Sequence, residues 1–253
     1  VTDENSFYRL RKSFANFNPK LGFSFGDRNG LISFGPLVEY TKVENTPERF
    51  ISSKDLVLPD NAFEGQVFGG LQAEFEFENV ENQTHPKGGL RVHGLWNLKR
   101  QFADELNSQN LRGEFTVYFS LDRKKHVTIA SRVGAELLTG DYQLFQAATL
   151  GGTTNMRGLR ADRFSGKSLF FHNTDLRIRI VSVENPIVPF TLGIHGGFDY
   201  GRVQLDQAGE DNTFHTSAGG GLWISPLDFL LISGDYFVSD DDKLVGVRLG
   251  FFF

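Results

Sequence analysis

Strict two-residue alternation constrains this chain most. Along 114–121, Phe115, Val117, Phe119 and Leu121 fall on one face, and Glu114, Thr116, Tyr118 and Ser120 on the other. Leu71, Ala73, Phe75 and Phe77 alternate with Gln72, Glu74, Glu76 and Glu78 in the same way. Leu176, Ile178 and Ile180 alternate with Asp175, Arg177 and Arg179. Val245, Val247, Leu249, Phe251 and Phe253 alternate with Gly246, Arg248, Gly250 and Phe252 at the end of the sequence. These are half-buried strands, and their polar faces carry several charges of one sign. A soluble sandwich would wet that face and bury the other against a second sheet. A barrel in lipid explains the pattern better. Its oily side faces hydrocarbon, its charged side faces a wet lumen, and no backbone edge is left unpaired.

Composition narrows the choice further. The 253 residues are 40% hydrophobic and 23% charged, so the chain is not disordered by composition. Mean hydropathy is −0.26, and no apolar run approaches the roughly 18 residues that a membrane helix needs. Glycine (28) and phenylalanine (26) are abundant and methionine is single, which favours strands over helices. A net charge of −5 disfavours a nucleic-acid partner. Without cysteine there is no disulfide, thiolate nucleophile or Cys-zinc site.

The pattern predicts an all-β fold, a transmembrane antiparallel up-and-down β-barrel of about 12 strands. They are expected near 13–26, 30–43, 48–57, 67–80, 88–100, 112–122, 126–138, 168–183, 188–205, 213–226, 228–238 and 243–253. An even count requires the strand at 48–57; eleven would break the parity usual for bacterial membrane barrels. Residues 1–12 are expected as an N-terminal periplasmic segment and 13–253 as one barrel domain. Short connections at 85–88 and 122–126 are expected on the periplasmic side, and the long loop 139–167 outside, folding into the lumen.

Three stretches are more specific. The first runs Leu150-Gly151-Gly152-Thr153-Thr154-Asn155-Met156-Arg157-Gly158-Leu159-Arg160-Ala161-Asp162-Arg163-Phe164. It is followed by Asn173-Thr174-Asp175-Leu176-Arg177 and by Phe198-Asp199-Tyr200-Gly201. In spacing and order these resemble the C-terminal barrel of the BamA/TamA superfamily, the bacterial surface antigen family. Within that family the loop and the terminal sequence look most like the barrels fused to metallophosphoesterases. Met156 and Leu159 depart from the family's usual residues around Arg-Gly, and Asp175 stands for its usual Glu.

By alternation, Asp175 and Asp199 point inward with Thr191, Gly193, His195 and Gly197. An arginine held by lumen carboxylates gives a geometry-specific bidentate tether. The resemblance implies that Arg157, with Gly158, packs against these strands, and that Gly151, Gly152, Arg163 and Phe164 shape the loop. It also implies an assembly signal in Leu249, Phe251 and Phe253, facing lipid. A seam between first and last strands is marked by Pro19, which donates no ladder hydrogen bond, and by Gly22, Gly246 and Gly250.

The resemblance implies a bacterial outer-membrane barrel that translocates or inserts protein or lipid, opening or thinning the bilayer at the seam. Its expected partners are outer-membrane lipids, the barrel-assembly machinery and a protein or lipid substrate. The alternative is a plugged barrel anchoring a phosphoesterase or lipase domain. Periplasmic repeat domains are not expected within this sequence. The six histidines form no HExxH spacing and there is no G-x-S-x-G elbow, so neither catalysis, a metal nor a cofactor is expected of this chain.

Overall fold

The computed structural model describes residues 11–47, 62–103, 105–186, 188–205, 213–227 and 229–253. Twelve strand segments form one antiparallel sheet. In chain order they are β1 (Lys12–Phe17), β2 (Leu21–Phe25), β3 (Gly30–Val43), β4 (Gly65–Val80), β5 (Gly89–Gln101), β6 (Asn107–Ser120) and β7 (Val127–Gly140). After the short pair β8 (Ala148–Leu150) and β9 (Phe164–Gly166) come β10 (Ser168–Val183), β11 (Phe190–Gln204), β12 (His215–Pro226), β13 (Ile232–Ser239) and β14 (Lys243–Leu249). From β3 onward, neighbours in sequence are neighbours in the sheet, except that β8 and β9 pair only with each other and β7 pairs directly with β10; β1 and β2 both pair with β3.

The side-chain pattern is inside out for a protein in water. On β6, Phe115, Val117 and Phe119 are exposed, Phe119 to 61%, whereas Thr116 and Tyr118 are buried. On β14, Val245, Val247 and Leu249 each expose more than three quarters of their surface. The inner face holds the charges: Arg132 on β7, Asp175 and Arg177 on β10, Asp199 on β11 and Asp235 on β13 are all buried. A surface belt of Phe, Val and Leu over a charged interior is the solution for a wall standing in hydrocarbon.

The sheet is curled. His85, between β4 and β5, stacks edge-on against Trp223 of β12 with ring centroids 4.5 Å apart. Nearby, Thr84 Oγ1 donates to the Phe229 carbonyl at 3.3 Å. A flat sheet would set β5 and β12, five positions apart, roughly 24 Å from each other. Among the described residues no ladder joins β1 or β2 to β14.

The bounds of the first and last strands are corrected in detail. The strand expected at 13–26 is split into β1 and β2. Their registers, Phe17↔Val38 and Leu21↔Phe34, set Pro19 opposite Pro36, and neither ring nitrogen can donate. The ladder lapses there, and Asn18 Nδ2 donates to the Pro36 carbonyl instead at 2.7 Å. The strand expected at 48–57 lies outside the described residues; β3 pairs directly with β4. Among the described residues the sheet comprises twelve strand segments, with β1 and β2 sharing one place beside β3. Of the N-terminal segment expected at 1–12, only Arg11 and Lys12 are among the described residues, and Lys12 opens β1 opposite Val43. Finally, β14 ends at Leu249 rather than at residue 253, because Gly250 takes a left-handed φ of +97°.

Candidate functional site: an arginine held inside the barrel wall

The connection between β7 and β10 builds the site. Its base is the β8–β9 hairpin, with Leu150 opposite Phe164. Above it, Gly151 and Gly152 turn the chain, and the Gly152 N–H donates to the Leu159 carbonyl at 3.0 Å. Asn155 braces this turn: its Oδ1 accepts from the Gly151 N–H and its Nδ2 donates to the Thr149 carbonyl, both at 2.8 Å. Met156 and Leu159 are fully buried in an apolar cluster with Leu138, Leu150, Leu169 and Phe171. These two residues, the departures from the family pattern, are apolar anchors on either side of Arg157-Gly158. Gly158 needs its left-handed φ of +77°, and a Cβ there would press on Ser217 at 3.0 Å.

Anchored this way, Arg157 points into the interior with 3% exposure. Its Nε donates to Asp199 Oδ2 at 2.9 Å and its Nη2 to Asp199 Oδ1 at 2.6 Å, a bidentate fork. Nη1 donates to Asp175 Oδ1 at 2.6 Å, and the Arg157 backbone N–H adds a bond to Asp199 Oδ2 at 3.0 Å. Both aspartates are buried. The Arg157 guanidinium also lies 4.1 Å from the Phe237 ring centroid. Gly197 makes the approach possible, since a Cβ there would sit 2.5 Å from Arg157 Nη2. In so dry a place removing one charge costs more than the pair contributes, because its partners stay buried and unbalanced.

A second handle escaped the sequence reading. Arg132 of β7 donates through Nε and Nη2 to Asn173 Oδ1 at 3.0 and 2.9 Å. The same Nη2 reaches the Thr154 carbonyl at 2.9 Å, and Asn173 Nδ2 reaches the Asn155 carbonyl at 2.8 Å. Asn173 lies two residues before Asp175 and so shares its inward face, but no local pattern supplied the bonding of Arg132 and Asn173 to the loop backbone. A third handle joins the loop to the β13–β14 turn. Ser239 Oγ donates to the Gly158 carbonyl at 2.7 Å, and Arg160 and Arg163 pair with Asp242 and Asp241 at 3.2 and 3.8 Å. Phe164 stacks on His215 of β12 at 3.7 Å.

The other residues singled out by sequence are placed as follows. Pro19 lies in the break between β1 and β2, and Gly22 on β2. Gly246 faces inward on β14, where a Cβ would crowd the Arg248–Asp235 ion pair. Thus Gly246 and Gly250 adjoin the tether's neighbourhood, and no ladder among the described residues brings them to Pro19 and Gly22. Leu249 faces outward. Phe251 and Phe253, expected on the lipid face, turn inward past Gly250: the Arg177 guanidinium lies 3.9 Å from the Phe251 ring centroid and 5.3 Å from that of Phe253.

Among the described residues, Glu74, Glu76 and His93 have metal-ligating chemistry, with candidate atoms within 4.8 Å of one another. Glu74 is already engaged: it accepts from Lys20 and forms a 2.9 Å hydrogen bond with His93.

Two β-barrel structures resemble this fold. BamA from Haemophilus ducreyi lacking POTRA domains 1-3 superposes with a TM-score of 0.71 at 13% identity, covering 98% of this chain and 56% of that one. CdiB from Escherichia coli gives 0.62 at 12% identity, covering 95% and 45%. The chain therefore spans about half the length of each. Both are BamA-family β-barrels, and at such identities the likeness is one of fold. No protein-family model and no curated protein matches the sequence.

Two outcomes follow from this geometry. Arg157→Ala strands Asp175 and Asp199 and should cost about 3–5 kcal/mol. The check is urea unfolding in lipid vesicles, with limited proteolysis of 151–163; a change below about 1 kcal/mol with the loop still protected would mean a merely solvated arginine. His85, in the connection between β4 and β5, is pushed from its ordinary value near 6.5 down to about 3, chiefly by burial and further by the charges of Lys87, Arg177 and Arg179. Between those values the unfolded chain binds a proton that the folded chain refuses. Stability should therefore fall as pH drops from about 6.5 toward 3, and His85→Phe should flatten that dependence in pH-dependent melting.

Proposed function

We propose that this chain is the wall of a bacterial outer-membrane barrel acting in translocation or insertion of protein or lipid. The observation that carries this reading is Arg157, set by a long loop between two buried inner-face aspartates, on a fold shared with BamA and CdiB. Loop 141–167 is then a plug whose position is fixed by charge, and the edges at β1–β2 and β14 form the seam that opens. The break at Pro19 and Pro36 weakens pairing on one side of that seam, and the early end of β14 shortens the other. Lipids of the outer membrane contact the outward belt, and the barrel-assembly machinery places the chain there. This chain contributes no catalytic step.

The second reading is a plugged barrel anchoring a phosphoesterase or lipase domain. It draws on the filled interior, where the loop and residues 251–253 pack among the inner arginines. A locked seam separates the two. With no native cysteine, Gly22→Cys and Gly246→Cys can be joined in reconstituted vesicles by a reducible thiol-reactive cross-linker long enough to span the two edges. The first reading predicts that insertion of a test outer-membrane protein is lost when the lock is closed and restored by reductant; full activity with the lock closed refutes seam opening.

A further inference from the structure

The last residues of the sequence carry two incompatible instructions. Period-two alternation continues through Val245, Val247, Leu249, Phe251 and Phe253, which would extend β14 with both phenylalanines toward lipid. The structure takes the other course. The last rung is the Gly250 N–H to the Leu231 carbonyl at 2.8 Å; Gly250 then adopts φ +97° and the chain turns inward. There the three rings cover Arg157 and Arg132, which hold the loop, and Arg177, which bonds Asp175 of the tether. Phe251 lies over Arg177 (3.9 Å), Phe252 over Arg157 (4.7 Å) and over Arg132 (4.8 Å), and Phe253 over Arg132 (5.1 Å). Arg157 is thus enclosed by Phe252 and Phe237.

The inward course has a cost written into Arg177. It is fully buried; its Nη2 bonds Asp175 Oδ2 at 3.2 Å and the Phe253 carbonyl at 2.7 Å, yet its Nε and Nη1 have no hydrogen-bond partner among the described residues. A phenyl face attracts a guanidinium but accepts hydrogen bonds poorly, so Phe251 excludes the water that would satisfy those donors. Ring burial and cation–π attraction hold the tail in. Unsatisfied donors and the alternative of a longer outward strand pull it out.

We propose that residues 251–253 are a displaceable latch, hinged at Gly250, that dries the Arg157–Asp175–Asp199 tether and so locks loop 141–167 inside the wall. Withdrawal lets water reach both guanidinium groups, and ion pairs in water are weak. The loop is then freed without any direct change in its own residues. This inference rests on the tether's geometry and stands whether the barrel transports or anchors.

Gly250→Val isolates the hinge. A Cβ at this position has nothing within 4 Å, so the substitution meets no steric obstacle and penalises only the left-handed backbone, while a β-branched residue suits an extended strand. Amide hydrogen exchange, read by mass spectrometry on protein folded in lipid vesicles, is the measurement. The latch predicts at least tenfold faster exchange across 151–163 in Gly250→Val, with β5–β7 unchanged. Gly250→Ala, a gentler penalty, should shift the loop in the same direction by less, and serves alone should the valine variant not fold. Loop exchange within twofold of the parent in the folded variant would overturn the proposal.

Discussion

A peptide group in hydrocarbon has no water to bond, and every other feature of this chain accommodates that fact. Strands satisfy their amides only against neighbours, so the sheet runs in sequence order through long antiparallel ladders. Side chains then alternate between a solvent that rejects charge and an interior that admits it. Phe115, Val117 and Phe119 face one way, and Glu114, Thr116 and Tyr118 the other. The same division lets arginines and aspartates accumulate inside the wall, where a loop can be held by charge.

Within that interior the loop is held by several bonds of different kinds. Arg157 bridges Asp175 and Asp199; Arg132 and Asn173 grip the loop backbone; Ser239 and the Asp241–Asp242 pair reach it from the β13–β14 turn. Met156 and Leu159 add apolar burial on either side of the arginine. The contacts span β7, β10, β11 and the last hairpin, so the loop ties the middle of the wall to its final edge. A movement of that edge is thereby coupled to the loop through identifiable bonds.

Legibility in the sequence followed how local each cause is. Alternation is a property of adjacent residues, and it placed β3, β5, β7, β10 and β12 to within a few residues and turned Asp175 and Asp199 inward. The loop's glycines and Arg157 were visible as a motif. What depends on pairing was not. The split of β1 from β2 arises only when register brings Pro19 opposite Pro36. The long reach of His85 to Trp223 requires the curl of the sheet. Phe251 and Phe253 obeyed the lipid-facing period in sequence, and only the arginines brought together from β7, β10 and the loop between them explain why they turn inward. Arg132 and Asn173 were not singled out as loop ligands, since backbone carbonyls leave no trace in side-chain spacing.

The central claim is that the oily face of each strand meets lipid and the charged face does not. Nitroxide scanning tests it directly: single cysteines at positions 114 to 121, spin-labelled in bilayers, report access to oxygen in the lipid and to a nickel chelate in water. The account predicts a two-residue oscillation, with oxygen access peaking at 115, 117 and 119 and falling at 114, 116 and 118. An opposite phase, or uniform access of the aqueous reagent along the strand, would contradict it.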